Sequence, residues 1–235
     1  MMMQMMNSHD LLVKNKLKHI QNKISTACYK SNRKGQKITL VAVSKGRNIE
    51  EINRAVSFGL SHFGENRVQE FIKKKSEIKN TRDLKYHFIG RLQSNKIKKA
   101  IKNFDFIHTI DSLLKIKKVN KTAQELDKKV KVFLQINIGN DPNKQGFKKK
   151  NFLETLKQFS AYKNIIIVGI MTITPQTKDK KKIRKYYKET KALQIKTQKT
   201  IETCQNLSMG MTNDYEIAIE EGATHIRIGR GIFNV

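Results

Sequence analysis

Short apolar, β-branched runs alternate with longer amphipathic stretches along this sequence, and the alternation repeats eight times. The strand candidates are residues 38–43, 61–63, 86–89, 106–109, 130–137, 165–171, 207–210 and 225–228. Between them the apolar residues recur at helical spacing. Ile49, Ile52 and Val56 share one face, with Asn48 and Glu51 placed as a capping pair and Gly59 as the stop. Asn151 and Glu154 read as a second capping pair. A basic helix is expected over 180–204, a short one after Asn213 closing at Gly222, and one over 10–30 ahead of the first strand.

Strands separated by helical crossovers form parallel sheets, and eight of them closed into a ring leave no exposed edge. The expected fold is therefore α/β, a single (β/α)8 TIM-type barrel with an extra N-terminal helix. It should form one domain over 1–235, with 1–9 disordered. The rival is an open doubly wound sheet, but no GxGxxG follows the first strand.

Composition narrows the function classes. No apolar run approaches the roughly 18 residues of a spanning helix, and the methionine-rich start lacks a signal-peptide core. A cytoplasmic protein without a membrane role is expected. Cys28 and Cys204 read as free thiols, and the six histidines are scattered without metal-ligand spacing. The net charge of +28 would draw phosphate-rich partners. It is spread over lysine runs on the outer faces of helices, however, so nucleic-acid binding is expected to be at most non-specific.

In such barrels the chemistry sits at the C-terminal ends of the strands. Lys45 ends the first strand, where apolar walls would desolvate its ammonium form and expose an amine nucleophile. A lysine snorkelling to the rim is the plain alternative. The loops after the seventh and eighth strands, Met209-Gly210-Met211-Thr212-Asn213-Asp214 and Ile228-Gly229-Arg230-Gly231, are where phosphate sites often lie. Their glycines permit close backbone approach, and Thr212 adds a hydroxyl. Arg227, inside the last strand, needs a partner; it pairs with Glu216 or Glu220, or it faces a ligand.

These positions coincide with further motifs: Val41-Ala42-Val43-Ser44-Lys45, Phe63-Gly64-Glu65-Asn66 with Gln69-Glu70, His87-Phe88-Ile89-Gly90 with Leu92-Gln93 and Asn95-Lys96, His108-Thr109-Ile110-Asp111, and Arg227-Ile228-Gly229. Over residues 37–233 the chain resembles the pyridoxal phosphate homeostasis protein family, single-domain relatives of the barrel domain of alanine racemase. The resemblance implies a pyridoxal 5'-phosphate (PLP) cofactor held as a Schiff base on Lys45. It implies phosphate contacts from Met211, Thr212, Gly229 and Arg230, and Arg227 facing the pyridine nitrogen. Asn66 completes the expected cofactor-binding set. The implied role is intracellular PLP homeostasis without robust catalysis, by a monomer whose partners are PLP-dependent apo-enzymes. An amino-acid racemase is the alternative reading, and a basic nucleic-acid-binding protein the third.

Two departures from the family pattern bear on the site. Gly46 replaces a larger residue after the lysine, which is expected to loosen that loop, and Arg230 stands where a threonine is commoner. Only Gly229 to Val235 follow the last strand, so the second domain that carries the acid/base tyrosine of alanine racemases is not expected. Tyr29, Tyr162, Tyr186 and Tyr187 fall on expected helices away from the barrel mouth, and Tyr86 starts the third strand, far from its C-terminal end. That leaves Tyr215 as the one tyrosine near the mouth.

Overall fold

A computed structural model of the chain describes residues 8–234. Eight parallel strands close into a barrel: β1 Thr39–Val43, β2 His62–Glu65, β3 Lys85–Phe88, β4 Phe106–Ile110, β5 Val130–Asn137, β7 Ile165–Thr172, β8 Asn206–Ser208 and β9 His225–Ile228. The first and last strands are joined with Val41 opposite Arg227, and β4 pairs with β5 on the far side. The TIM-type barrel expected from the alternation is the observed fold. A two-residue strand, β6 (Phe147–Lys148), lies outside the ring against the end of β5.

Helices α2 (Ile49–Ser57), α3 (Val68–Lys75), α4 (Ile97–Asn103), α5 (Leu113–Glu125), α6 (Lys149–Thr155), α7 (Lys180–Gln198), α8 (Tyr215–Glu220) and α9 (Arg230–Phe233) follow the strands. Their apolar stripes are buried against the sheet, as at Ile52, Phe71, Ala100, Val119, Phe152 and Ile219. Phe71 packs against the rings of Tyr86 and Phe104 at 4.7 and 4.6 Å. Truncating such a residue to alanine costs about 3–5 kcal/mol. The extra helix, α1 (Ser8–Lys30), lies across α8 and α9 and so covers the seam between the last repeat and the first. The expectation of disorder over 1–9 falls, for 1–7, outside the described residues; α1 begins at Ser8.

The capping box of α2 forms as its spacing predicts. Asn48 Oδ1 accepts from the Glu51 N–H at 2.8 Å, and Glu51 Oε2 accepts from the Asn48 N–H at 2.9 Å. The one at Asn151 does not form. β6 leads directly into α6, so Lys148 is the cap and Asn151 lies inside the helix. α7 stops at Gln198 instead of 204, because the chain turns back and places the Cys204 carbonyl on the Gln194 amide at 2.6 Å. Among the described residues no helix is long and apolar enough to cross a membrane.

Candidate functional site

The strand ends at the C-terminal rim surround a cavity of about 860 Å³. Lys45 reaches it from the end of β1 and Asn66 from the end of β2. Met211 and Thr212 come from the loop after β8, and Arg227, Gly229 and Arg230 from β9 and its exit. All seven residues expected at the site therefore meet at one opening. Asp111, another strand-end residue, is instead held by Lys115 at 2.7 Å.

The motif residues around Lys45 pin its loop. Ser44 Oγ donates to the buried Glu65 carboxylate at 2.8 Å, and the Gly46 N–H donates to Glu70 Oε1 at 3.1 Å. Lys74 holds Glu70 at 2.7 Å. Burial pushes the Glu65 carboxyl above its ordinary pKa, opposed by the Ser44 hydrogen bond and the Lys74 charge. Gly46 does not loosen this loop. Its φ of +70° is left-handed, a conformation that suits glycine, and its amide is tied down. Lys45 itself is exposed. Apolar walls are present in the cavity, from Val43, Ile89, Met171 and Met211, but they do not enclose the lysine, which stands exposed at an open mouth.

The loop after β8 is wound tightly about Asp214. Its Oδ1 accepts from the Met211 N–H at 2.7 Å, and the Met211 carbonyl accepts from the N–H groups of Asp214 and Tyr215 at 3.0 and 2.9 Å. Gly210 has φ +92°, and a Cβ there would lie 2.6 Å from the Ala218 side chain. Tyr187, expected far from the mouth, donates its hydroxyl to Asp214 Oδ2 at 2.7 Å. Its helix, α7, runs behind the loop, and burial followed by the Asp214 charge pushes the phenol pKa up. Among the described residues, the backbone N–H groups of Thr212, Asn213, Arg230 and Gly231 donate no hydrogen bond. Thr212, Asn213 and Arg230 line the opening that holds Lys45 and Arg227, and Gly231 lies next to it, in the crevice beside α1.

Arg227 pairs with neither expected glutamate. Glu216 is bonded to Lys23 at 2.8 Å and Glu220 to Arg184. Arg227 Nη1 donates to Ser208 Oγ at 2.7 Å and Nη2 to the Thr172 carbonyl at 3.0 Å. Burial pulls its pKa down, and nearby Tyr187 and Asp214 pull it back up; a guanidinium remains charged in proteins. Tyr215 is buried beside α1, in a crevice shared with His19 and Lys23, and does not line the cavity. Burial pushes its hydroxyl pKa up to about 12.

The sequence reading missed the histidines. Four that look scattered, His62, His87, His108 and His225, meet inside the barrel, with neighbouring rings 5.0 to 6.3 Å apart. The signal was one histidine in each of four strands; His87 and His108 open two of the sequence motifs, but nothing in those motifs says that the four rings meet.

The family profile "Alanine racemase, N-terminal domain" matches residues 16–235. The pyridoxal phosphate homeostasis protein of Aquifex aeolicus is 34% identical over 219 residues, covering 93% of this chain and 96% of that protein. That of Synechocystis is 39% identical over 198 residues, covering 83% and 90%. The structure of PipY from Synechococcus elongatus with PLP bound superposes with a TM-score of 0.83 at 31% identity, covering 94% of this chain and 99% of PipY. On these matches the chain belongs to the pyridoxal phosphate homeostasis protein family, whose barrel is that of the alanine racemase N-terminal domain.

Proposed function

We propose that this chain is a single-domain, cytoplasmic PLP-binding protein that holds the cofactor through Lys45 and buffers or delivers it to PLP-dependent apo-enzymes. The observation that carries this reading is the shared cavity. Lys45, the buried Arg227 and three residues with unused backbone N–H groups, Thr212, Asn213 and Arg230, line it. That donor set fits a phosphorylated aldehyde with a basic ring nitrogen. The free N–H groups suit a phosphate, an exposed amine suits a carbonyl carbon, and a cation suits an unprotonated nitrogen. The PLP bound to a relative of the same fold supports the same assignment. Two buried free cysteines accord with a reducing compartment.

When bound, PLP supplies an electron sink; the chain's residues govern how far it is used. Lys45 provides the attachment point. Thr212, with the backbone at Asn213, Arg230 and Gly231, binds the phosphate. Asn66 closes the β2 side of the opening, and Met211 adds apolar contact. Arg227 would hold a fixed positive charge beside the ring nitrogen, which would disfavour its protonation and weaken the sink. The reading is thus of a holder and not a catalyst. Reductive trapping with borohydride, followed by digestion, locates the attachment. The expected modification is on Lys45, and a modified peptide carrying another lysine with Lys45 unchanged would refute the assignment.

A further inference from the structure

A feature of the barrel interior is left unused by the cofactor reading. His62 opens β2, His87 is third in β3 and His108 third in β4. His62 Nδ1 lies 2.9 Å from His87 Nε2, His87 Nδ1 lies 2.8 Å from His108 Nε2, and His108 Nδ1 lies 2.9 Å from Ser208 Oγ. Ser208 Oγ is the atom that accepts from Arg227 Nη1. An unbroken hydrogen-bonded line therefore runs from half-buried His62, near the lower end of the barrel, to the guanidinium at the cavity. His225 stands beside this line with its Nδ1 on Thr224 Oγ1 at 2.9 Å.

The polarity of the line follows from its proton inventory. A neutral imidazole has one donor and one acceptor nitrogen. His87 and His108 use both nitrogens inside the line, so the tautomer of one fixes the other. Burial, reinforced by the neighbouring histidines, lowers the pKa of each well below the ordinary value, so both rings are neutral. Arg227 can only donate. If Ser208 accepts from it and donates its own O–H to His108 Nδ1, then His108 Nε2–H donates to His87 and His87 Nε2–H donates to His62. The last N–H, on His62, is left toward the half-exposed end. In the opposite polarity Ser208 would accept twice, and its proton would find no acceptor among the described residues.

Every donor in the satisfied arrangement points away from Arg227 and every acceptor toward it. Such chains polarise one another in a low-dielectric interior. Among the described residues no carboxylate is paired with Arg227; Asp214 is taken up by Tyr187 and the Met211 N–H. We infer that His62, His87, His108 and Ser208 act as positioning residues for Arg227, their aligned dipoles standing in for a counter-ion. A carboxylate would satisfy the guanidinium but cancel its field at the cavity. Neutral acceptors satisfy it and leave the full charge directed at the ligand. This inference rests on the reading that Arg227 faces the ring nitrogen of PLP.

The test compares Ser208→Ala, His87→Phe and His108→Phe with Arg227→Leu, each reconstituted with PLP. Equilibrium dialysis gives affinity, the absorption band of the bound cofactor reports the charge at its ring, and borohydride trapping reports attachment at Lys45. Trapping is expected to persist in all four. Ser208→Ala should weaken PLP binding about tenfold or more, the scale of one hydrogen bond to a charged group. The band should move in the same direction as in Arg227→Leu. His87→Phe touches neither Arg227 nor Ser208 and should still shift the band, and the His87/His108 double variant should be no worse than either single. Nitrogen-15 spectra of the PLP-free wild type should show His87 and His108 as Nε2–H tautomers. His62, half-buried, offers a milder pair: Leu should reproduce the His87→Phe shift, and Gln, which can accept from His87, should reverse it. A wild-type band and affinity in both His87→Phe and His62→Leu, or Nδ1–H tautomers, would overturn the relay. If Arg227→Leu itself changes nothing, the reading of Arg227 fails first. If Arg227→Leu acts and the histidine variants do not, only the relay is lost.

Discussion

The rim of the barrel and the interior just beneath it treat polar groups in opposite ways. At the rim, four backbone N–H groups have no hydrogen-bond partner among the described residues, and Lys45 stands in solvent. Beneath it, His87, His108, Ser208 and Arg227 form one hydrogen-bonded line, each bonded to the next. Solvation explains the difference. A buried donor left unpaired costs about 1–3 kcal/mol, so the interior must be complete on folding. Rim donors are satisfied by water until a ligand replaces it. Incompleteness at the rim therefore marks the binding surface, and completeness below marks the frame that holds it.

The largest effect should come from filling the rim with the wrong charge. A Cβ on Gly229 would sit 3.2 Å from both the Val43 side chain and its carbonyl. Gly229→Asp adds that crowding and a carboxylate beside donors meant for an anion. PLP affinity should fall by about a hundredfold or more, beyond the loss of a single charge-assisted hydrogen bond. Unphosphorylated pyridoxal should lose much less. Equal losses for the two ligands, measured by dialysis, would remove the phosphate from these loops and with it the contrast between rim and interior.

The interior should reveal itself through acid. Burial lowers His225 from 6.5 to about 4, and lowers His87 and His108 in the same direction. Unfolding frees these rings to protonate near their ordinary value, so below that value the unfolded chain binds more protons and stability falls with pH. The stability is whole above about pH 6.5 and is lost progressively toward pH 4. From pH 7 to 5, His225 alone should remove about 2 kcal/mol, and His87 and His108 add to it. Urea midpoints at the two pH values check this, and an unchanged midpoint would mean that the interior is not the dry, neutral frame described.

The two regions were unequally legible in the sequence. The rim was readable because each of its residues follows a strand and sits in a local pattern, such as Val43-Ser44-Lys45 or Met211-Thr212. Barrel topology then says where strand ends point. The interior was not, because its links join residues far apart in sequence, up to the 100 positions between His108 and Ser208. The contact of Tyr187 with Asp214 was hidden for the same reason, although its place on a helix away from the cavity wall was legible. Helical periodicity says which face of α7 is buried, but not that Asp214 lies opposite it.

A smaller effect separates hydroxyl from backbone at the rim. Thr212 packs near Gly231, where a Cβ would lie 3.3 Å from its methyl, and its hydroxyl has no partner among the described residues. Thr212→Ala should leave folding unchanged and weaken PLP about tenfold or less; Thr212→Ser should restore it. A loss as large as that of Gly229→Asp would mean that the side chain, and not the backbone donors, dominates the phosphate site.

The smallest expected effect is none at all, and it concerns chemistry at the rim. Racemisation needs an acid/base group on each face of a carbanion at Cα. Lys45 can serve one face. Among the described residues, the cavity wall carries no tyrosine, histidine or cysteine. Tyr187 donates its proton to Asp214, and Tyr215 faces α1. Lys144 reaches the cavity, but its ammonium is spent on the Thr174 carbonyl at 3.0 Å. Lys178 and Lys180 are exposed and lack a frame to aim them. The open mouth adds water, which screens any developing charge. Arg227 is held by neutral acceptors, and on the proposed placement its charge would oppose electron withdrawal by the ring. Deuterium exchange at Cα of alanine and serine should therefore run no faster with the loaded protein than with free PLP. Exchange of about 1 s⁻¹ or more, lost in Lys45→Ala, would show that the unpaired groups of the rim include a working acid/base pair and that the cofactor is used where it is held.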